Sequence, residues 1–415
     1  MSTIKKISES ELKSLIKILR NAYPGQAESE KDIKNAVERF SKLQRNDNTK
    51  NFYGLYRDDK LLGGMLLHDF VMNFSSKKLR VGGLGSVAVD FLHKKEKVAK
   101  ELVIYYLKHY REKETYLAAL YPFRHDFYKK MGFGFGTKIN QYKIKPCNFK
   151  KGDSKKNITY LDKGDKENII NCYNRYFEKN HGMMKKTDME IKGLFKSENR
   201  IIGYKNNGKL EGYIVFKFHK NEGDSFLIND MYIVEFIYEN NKALDELMTF
   251  LHSQNDQIRY IILNTQDEDF YHLMKNPVNG TNNIIPSVYH ESNIQGVGLM
   301  YRIIDIIGLF KNLENHDFNN QTCKLKLNIR DGFLKENNDS FIIHFDNGKA
   351  KINNTEDYEV EISLDIKEFS SMFMGVVNFN SLYRLGLASI SDKSYLEKIN
   401  KIFTLSTKPI CTTPF

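Results

Sequence analysis

The sequence predicts an α/β chain built on a duplicated unit, with a smaller α+β domain after it. Three observations predict this. Helical and strand-like apolar periods alternate through about residue 145. That block then returns once. From about Leu299 the pattern changes to alternating strand runs with interspersed helices.

Glu9 to Ala22 reads as an amphipathic helix with Leu12, Leu15, Ile16 and Leu19 on one face. Phe52 to Leu67 reads as a hairpin, two apolar runs about Asp58-Asp59. A strand over roughly Leu84 to Val89 leads into a helix from about Lys97, with Val98, Leu102, Tyr105 and Tyr106 on one face. Lys60-Leu-Leu-Gly63 returns as Lys209-Leu-Glu-Gly212, again between apolar strands. Val89 to Leu102 returns as Val234 to Leu247, in the same order and at nearly the same offset. Beyond Leu299, Met300 to Phe310 reads as a helix. Strand-like runs follow at Cys323 to Ile329, Ser340 to Phe345 and Tyr358 to Leu364, then helices at Ile366 to Met374 and Lys393 to Phe403. The predicted domains are 1–148, 149–298 and 299–415.

A hydrophobic content of 41% supports cores of this number, and no run approaches the ~18 consecutive apolar residues of a membrane span. The N-terminus leads into a polar helical pattern rather than an apolar secretory segment. Cys147, Cys172, Cys323 and Cys411 are far apart and form no CxxC pair, which fits a reducing cytoplasm and excludes a cysteine-ligated zinc site. The net charge of +11 comes from lysines scattered through the chain rather than from a local patch, so a solvated basic surface is expected and a nucleic-acid partner is not. His68, His93, His109 and His125 show no metal-ligand spacing, Gly82-Gly-Leu-Gly85 is not a dinucleotide fingerprint, and no GxSxG is present. No metal is expected.

Three segments carry chemistry. A strand (Ser86-Val87-Ala88-Val89) runs into a loop and helix start (Asp90 to Ala99) bearing Lys94 and Lys95. A strand edge suits the amides of an extended ligand, and backbone N–H groups at a helix start suit a pyrophosphate. Next, Tyr128 lies four residues before Gly132 in Leu117-Ala-Ala-Leu-Tyr-Pro-Phe-Arg-His-Asp-Phe-Tyr-Lys-Lys-Met-Gly132-Phe-Gly134-Phe-Gly136. A phenol is neutral at pH 7 and can protonate a leaving thiolate. Last, the chain ends Lys408-Pro-Ile-Cys-Thr-Thr-Pro-Phe415, on an apolar aromatic rather than a polar tail.

In these segments the whole chain resembles the Eis-type (enhanced intracellular survival) acetyltransferases. The resemblance implies tandem GNAT-like domains, with mixed, mostly antiparallel sheets and helices, and a C-terminal domain like sterol carrier proteins. Met300 to Asp305, Asp331 to Asn337 and Phe373 to Leu387 carry the likeness in that last domain. It implies acetyl-coenzyme A as co-substrate, held by Val87, Ala88, Val89, His93, Lys94, Lys95, Lys97, Val98 and Ala99. The family's V-x-P-x-x-R-R-x-G is here Val89-Asp-Phe91-Leu-His-Lys94-Lys95-Glu-Lys97: Phe91 replaces Pro, two lysines replace the arginines, and Lys97 replaces Gly. The second copy has Glu239-Asn240 where the first has its lysines, which places the donor in the first copy. Tyr128 matches the family's general acid; Tyr121 and Tyr142 do not. The terminal carboxylate of Phe415 matches its general base. The implied activity is direct N-acetyl transfer to an amine of a small molecule (aminoglycoside, polyamine) or of lysine. Glu28, Glu30 and Asp32, beside Gln26, are candidate acids for a cationic acceptor. The alternative is a non-catalytic acyl-CoA-sensing or lipid-binding protein on the same scaffold. The resemblance also implies a homo-oligomer, commonly a hexamer.

Overall fold

The structure is a computed structural model that describes residues 2–24, 29–220, 223, 225–353 and 356–415. Strand β1 (Thr3–Lys6) precedes helices α1 (Leu12–Ala22) and α2 (Glu30–Asn46). Helix α1 buries Leu12, Leu15, Ile16 and Ile18, the apolar stripe its spacing provides. Helix α2 starts at a capping box, in which Ser29 and Asp32 each bond the other's backbone N–H. Strands β2 (Lys50–Arg57) and β3 (Lys60–Phe74) form the predicted hairpin. Asp58 and Asp59 both adopt positive φ (47° and 58°), as a two-residue hairpin turn of matching twist requires. Strand β4 (Lys77–Val89) returns antiparallel to β3, and helix α3 (Val98–Glu112) crosses over to β5 (Leu117–Leu120), parallel to β4. A short helix α4 (His125–Lys129) and strand β6 (Gly134–Phe135) end this block.

The block then repeats. After β7 (Ile139–Ile144) come β8 (Ile158–Tyr160), α5 (Lys166–Lys179), α6 (Asp188–Lys192) and the hairpin β9 (Arg200–Asn206) and β10 (Lys209–His219). Strand β11 (Asn229–Tyr238), helix α7 (Asn241–His252) and β12 (Ile258–Thr265) follow. A small ladder of β13 (Ile284–Ile285) and β14 (Tyr289–His290) precedes β15 (Asn293–Gly296) and β16 (Met300–Ile303). The sheet orders are β1-β2-β3-β4-β5-β16-β6 and β15-β7-β12-β11-β10-β9-β8. Each copy contributes five strands in the same order, the sixth place is filled by a strand from elsewhere in the chain, and β6 or β15 takes the seventh. Strand β16 lies between β5 and β6, and β7 pairs with β12 and β15. The duplication is thus a duplication of fold, with one strand exchanged in each direction.

The last part carries α8 (Ile306–Asn312) and a five-stranded sheet of β17 (Cys323–Arg330), β18 (Ser340–Asp346), β19 (Lys349–Asn353), β20 (Val360–Asp365) and β21 (Ala388–Ile390), in the order β19-β18-β17-β20-β21. Helices α9 (Ile366–Phe373), α10 (Phe379–Arg384) and α11 (Leu396–Phe403) accompany it.

Two compact units result. One comprises Met1–Gly136, Leu299–Pro409 and Pro414–Phe415; the other comprises Thr137–Gly298 and Ile410–Thr413. This differs from the predicted division at 148 and 298, because β7 belongs to the second sheet and the C-terminal part shares a unit with the first copy. The single helix predicted over Met300 to Phe310 is replaced by β16 followed by α8. Met300 to Ile303 pair with β5, and Asp305 then caps α8 by accepting from Gly308 N–H. Within the first unit, wholly buried Arg302 of β16 donates to Met131 O (2.6 Å) and to the carboxylate of Asp331 (2.5 Å). Ser370 of α9 accepts at β16 from Ile303 N–H (3.0 Å), and Phe74 stacks on Phe373 at 5.2 Å. Each copy has its own apolar core between sheet and helices, around Leu102, Tyr106 and Phe133 in the first and Ile214, Leu247 and Ile261 in the second.

Candidate functional site

Strand β4 changes character halfway along. Its pairing with β5 stops at Leu84↔Leu120, so the remaining residues of β4 have no ladder on that side. Its register with β3 shifts between Gly64 and Leu66, leaving Ser86 and Val87 opposite the single Met65. Ser86 takes positive φ (51°) to make this bulge, which bends the strand away from β5. The result is an open strand edge leading to Val89, with Val87 and Ala88 nearly buried. Tyr23, which caps the end of α1, donates its hydroxyl to Val87 O at 2.8 Å and pins the bulge.

From Val89 the chain makes one turn at Phe91–His93 and enters α3 with Lys97 in the left-handed conformation (φ 64°, ψ 7°). Glycine adopts that conformation without steric cost, whereas a lysine there is uncommon. No side chain caps α3, so the N–H groups of its first turn, Val98 and Ala99 among them, have no partner within the helix. The Val98 side chain is buried in the core against Gly63. Lys94 and Lys95 are exposed, and Lys94 lies 3.9 Å over the ring of Phe91. His93 is committed within the protein: Lys60 donates to its Nε2 and Glu96 accepts from its Nδ1, both at 3.1 Å. Arg57 ties the loop to the β2–β3 hairpin through Glu96 (3.1 Å) and Glu101 (2.8 Å).

The equivalent helix of the second copy is closed. The Asn240 side chain accepts from Ala243 N–H, and Glu239 beside it is held by Arg175. A helix end filled by its own cap, with a carboxylate next to it, repels an anion. The open, uncapped start of α3 fits a pyrophosphate.

Tyr128 on α4 is 2% exposed. Burial pushes its hydroxyl well above the ordinary tyrosine range, with the Tyr23 hydroxyl adding to the effect, so it holds its proton throughout the physiological range. Arg302, bonded to Met131 O, braces the turn after α4; a Cβ on Gly132, whose φ is 82°, would lie 1.4 Å from the guanidinium.

The terminal residue enters the same unit at the other end of the bulge. The Phe415 ring packs against His68 (5.6 Å), Phe70 (4.8 Å) and Tyr121 (5.1 Å). Its carboxyl carbon lies 3.3 Å from the point where a Cβ on Gly85 would sit, one residue before the bulge. The structure thus brings β4, Tyr23, Tyr128 and Phe415 into one unit. Sequence reasoning missed Tyr23, His68 and Phe70 and set Tyr121 aside. Each lies far from Phe415 in the chain and carries no local signal. Of the candidate acids, Gln26 and Glu28 lie outside the described residues. Glu30 is exposed at the start of α2, and Asp32 is spent on its cap. Among the described residues no cluster of three metal-ligating side chains occurs, and no helix is long and apolar enough to cross a membrane.

Residues 3–136 and 179–302 each match an acetyltransferase (GNAT) domain family, and residues 310–412 match the sterol carrier protein domain. No curated protein matches the chain in sequence. Solved structures match it along its full length. A GCN5-related N-acetyltransferase from Anabaena variabilis is 18% identical, with both chains covered completely and a TM-score of 0.81. A conserved protein from Enterococcus faecalis, described as a probable N-acyltransferase, is 20% identical, with complete coverage of both chains and a TM-score of 0.82. Eis1 from Mycobacterium abscessus is 15% identical, with complete coverage of both and a TM-score of 0.76. The chain carries two acetyltransferase (GNAT) domains and a sterol carrier protein domain, and it shares its fold with these solved structures.

Proposed function

We propose that this GNAT acyltransferase moves an acetyl group from acetyl-coenzyme A to a primary amine by direct transfer, with the Phe415 carboxylate as general base and Tyr128 as general acid. The observation that carries the proposal is the seat of the terminal carboxylate beside Gly85, where β4 begins to part from β5. The parted edge supports a reading in which β4 receives the amides of the donor arm. The uncapped start of α3, with Lys94, Lys95 and Lys97 around it, supports pyrophosphate binding by backbone N–H groups and charge.

An amine is protonated at neutral pH and must lose a proton before it attacks. A carboxylate is a weak base in water, and one withdrawn from water holds a proton more tightly. Tyr128 keeps its proton until the departing sulfur takes on charge, then gives it up. Polyamines, aminoglycosides and lysine side chains are the acceptor classes proposed. Thiol release from acetyl-coenzyme A with a panel of these amines tests the reading. Turnover by the wild type, reduced about 10²-fold or more in Tyr128→Phe and on deletion of Phe415, is expected. Acetyl-coenzyme A binding without turnover on any amine would favour an acyl-CoA sensor instead.

A further inference from the structure

Resting on the donor reading above and deepening it, we infer that Arg57 is the positioning residue of the pyrophosphate seat. It fixes the backbone at the start of α3 and masks two carboxylates that border that start. Arg57 ends β2, opposite Lys60 across the hairpin turn. All three of its guanidinium nitrogens are engaged. Nε donates to Ser2 Oγ at 2.9 Å and Nη1 to Glu96 Oε2 at 3.1 Å. Nη2 donates both to the Glu96 backbone carbonyl (3.1 Å) and to Glu101 Oε1 (2.8 Å).

The bond to the Glu96 carbonyl sets a peptide plane. Carbonyl and N–H point in opposite directions across a trans peptide, so the Lys97 N–H faces away from the guanidinium. Among the described residues that N–H has no acceptor, and those of Val98 and Ala99 follow it in the uncapped start of α3. An anchor is needed here. Lys97 is left-handed (φ 64°), and so is Lys95 two residues before it (φ 68°), a conformation uncommon for any residue but glycine. The bonds to the carboxylates set a charge. Glu96 stands one residue before Lys97 and Glu101 four residues after it. An anionic side chain at a helix start suits the helix dipole and so competes with an anionic ligand for it. The neighbouring lysines are turned elsewhere: Lys94 lies 3.9 Å over the Phe91 ring, Lys100 lies 5.7 Å over the Phe333 ring, and Lys60 donates to His93 at 3.1 Å. Arg57 bonds both carboxylates. Its planar fork reaches them and the carbonyl at once, which the single ammonium of a lysine cannot do.

Coenzyme A and pantetheine separate this role from a general loosening of the fold, because pantetheine has the amide arm without the pyrophosphate. Dissociation constants for both are measured by titration of the full chain. Arg57→Gln is expected to weaken coenzyme A about tenfold or more and to leave pantetheine within about twofold of wild type. Arg57→Lys, which keeps the charge and loses the fork, is expected to fall between the two for coenzyme A. Adding Glu96→Gln and Glu101→Gln to Arg57→Gln is expected to recover about threefold or more of the loss. Equal coenzyme A affinity in wild type and Arg57→Gln overturns the inference, and so does a coenzyme A loss matched by pantetheine. No recovery in the triple variant overturns the masking of the carboxylates. A wild type that binds no coenzyme A removes the donor reading itself, whereas equal binding by wild type and Arg57→Gln removes Arg57 alone.

Discussion

A methyl group at position 85 would lie 3.1 Å from His68 Nε2 and 3.3 Å from the Phe415 carboxyl carbon, both tighter than ordinary van der Waals contact. The β conformation accepts alanine there, so the collision falls on the terminus, the more easily moved of the two. Gly85→Ala is expected to fold, to bind acetyl-coenzyme A normally, and to lose about tenfold or more in kcat, because a small misplacement of a catalytic group is costly. Steady-state kinetics on that variant check it. Two residues of the proposed site were singled out in the sequence. Phe415 stood out because few chains end on an apolar aromatic, and Tyr128 because its place before Gly132 matches the position that the family resemblance gives to a general acid. The seat of Phe415 was not legible. His68 and Phe70 are two alternating residues in a strand, and in sequence they look like any inward-facing pair.

The two crossover helices show how one element in two copies serves opposite ends. Helix α7 is capped by Asn240 and bordered by Glu239; α3 starts on an uncapped Lys97. Asn240→Ala is expected to lower stability by about 1 kcal/mol, the usual worth of such a cap, with no change in acetyl-coenzyme A affinity. Lys97→Asp puts an anion at the start of α3, where the helix dipole favours it. It is expected to leave stability equal or raise it by about 0.3–1 kcal/mol while weakening acetyl-coenzyme A binding at least tenfold. Denaturation midpoints and titration calorimetry on the two variants measure both signs. The contrast was visible in sequence as Lys94-Lys95 against Glu239-Asn240, although the commitment of His93 to Lys60 and Glu96 was not. That pairing joins a hairpin turn to a loop across the fold, and spacing carries no trace of it.

At the scale of the whole chain, the duplication was read from two short matches, and both fall on corresponding elements: the β2–β3 and β9–β10 hairpins, and the β4–α3 and β11–α7 crossovers. What escaped was the exchange of β7 and β16. Met300 to Phe310 has an apolar density that suits helix and strand alike, and only pairing with β5 decides for strand. That strand carries Arg302, whose ion pair with Asp331 lies wholly inside the first unit and braces the turn after Tyr128. Arg302→Met leaves the Asp331 carboxylate buried without its cation and is expected to cost about 3–5 kcal/mol of stability. Adding Asp331→Leu is expected to restore much of it, which a double-mutant cycle by chemical denaturation would show.

The central claim is that the chain ends in its own base, and one glycine appended after Phe415 tests it most directly. The extension leaves every side chain in place, including the aromatic ring between His68, Phe70 and Tyr121, but carries the carboxylate one residue onward. The account predicts that acetyl-coenzyme A still binds and that amine-dependent thiol release falls by about 10²-fold or more. Wild-type turnover from the extended chain would contradict it and leave Phe415 a hydrophobic plug.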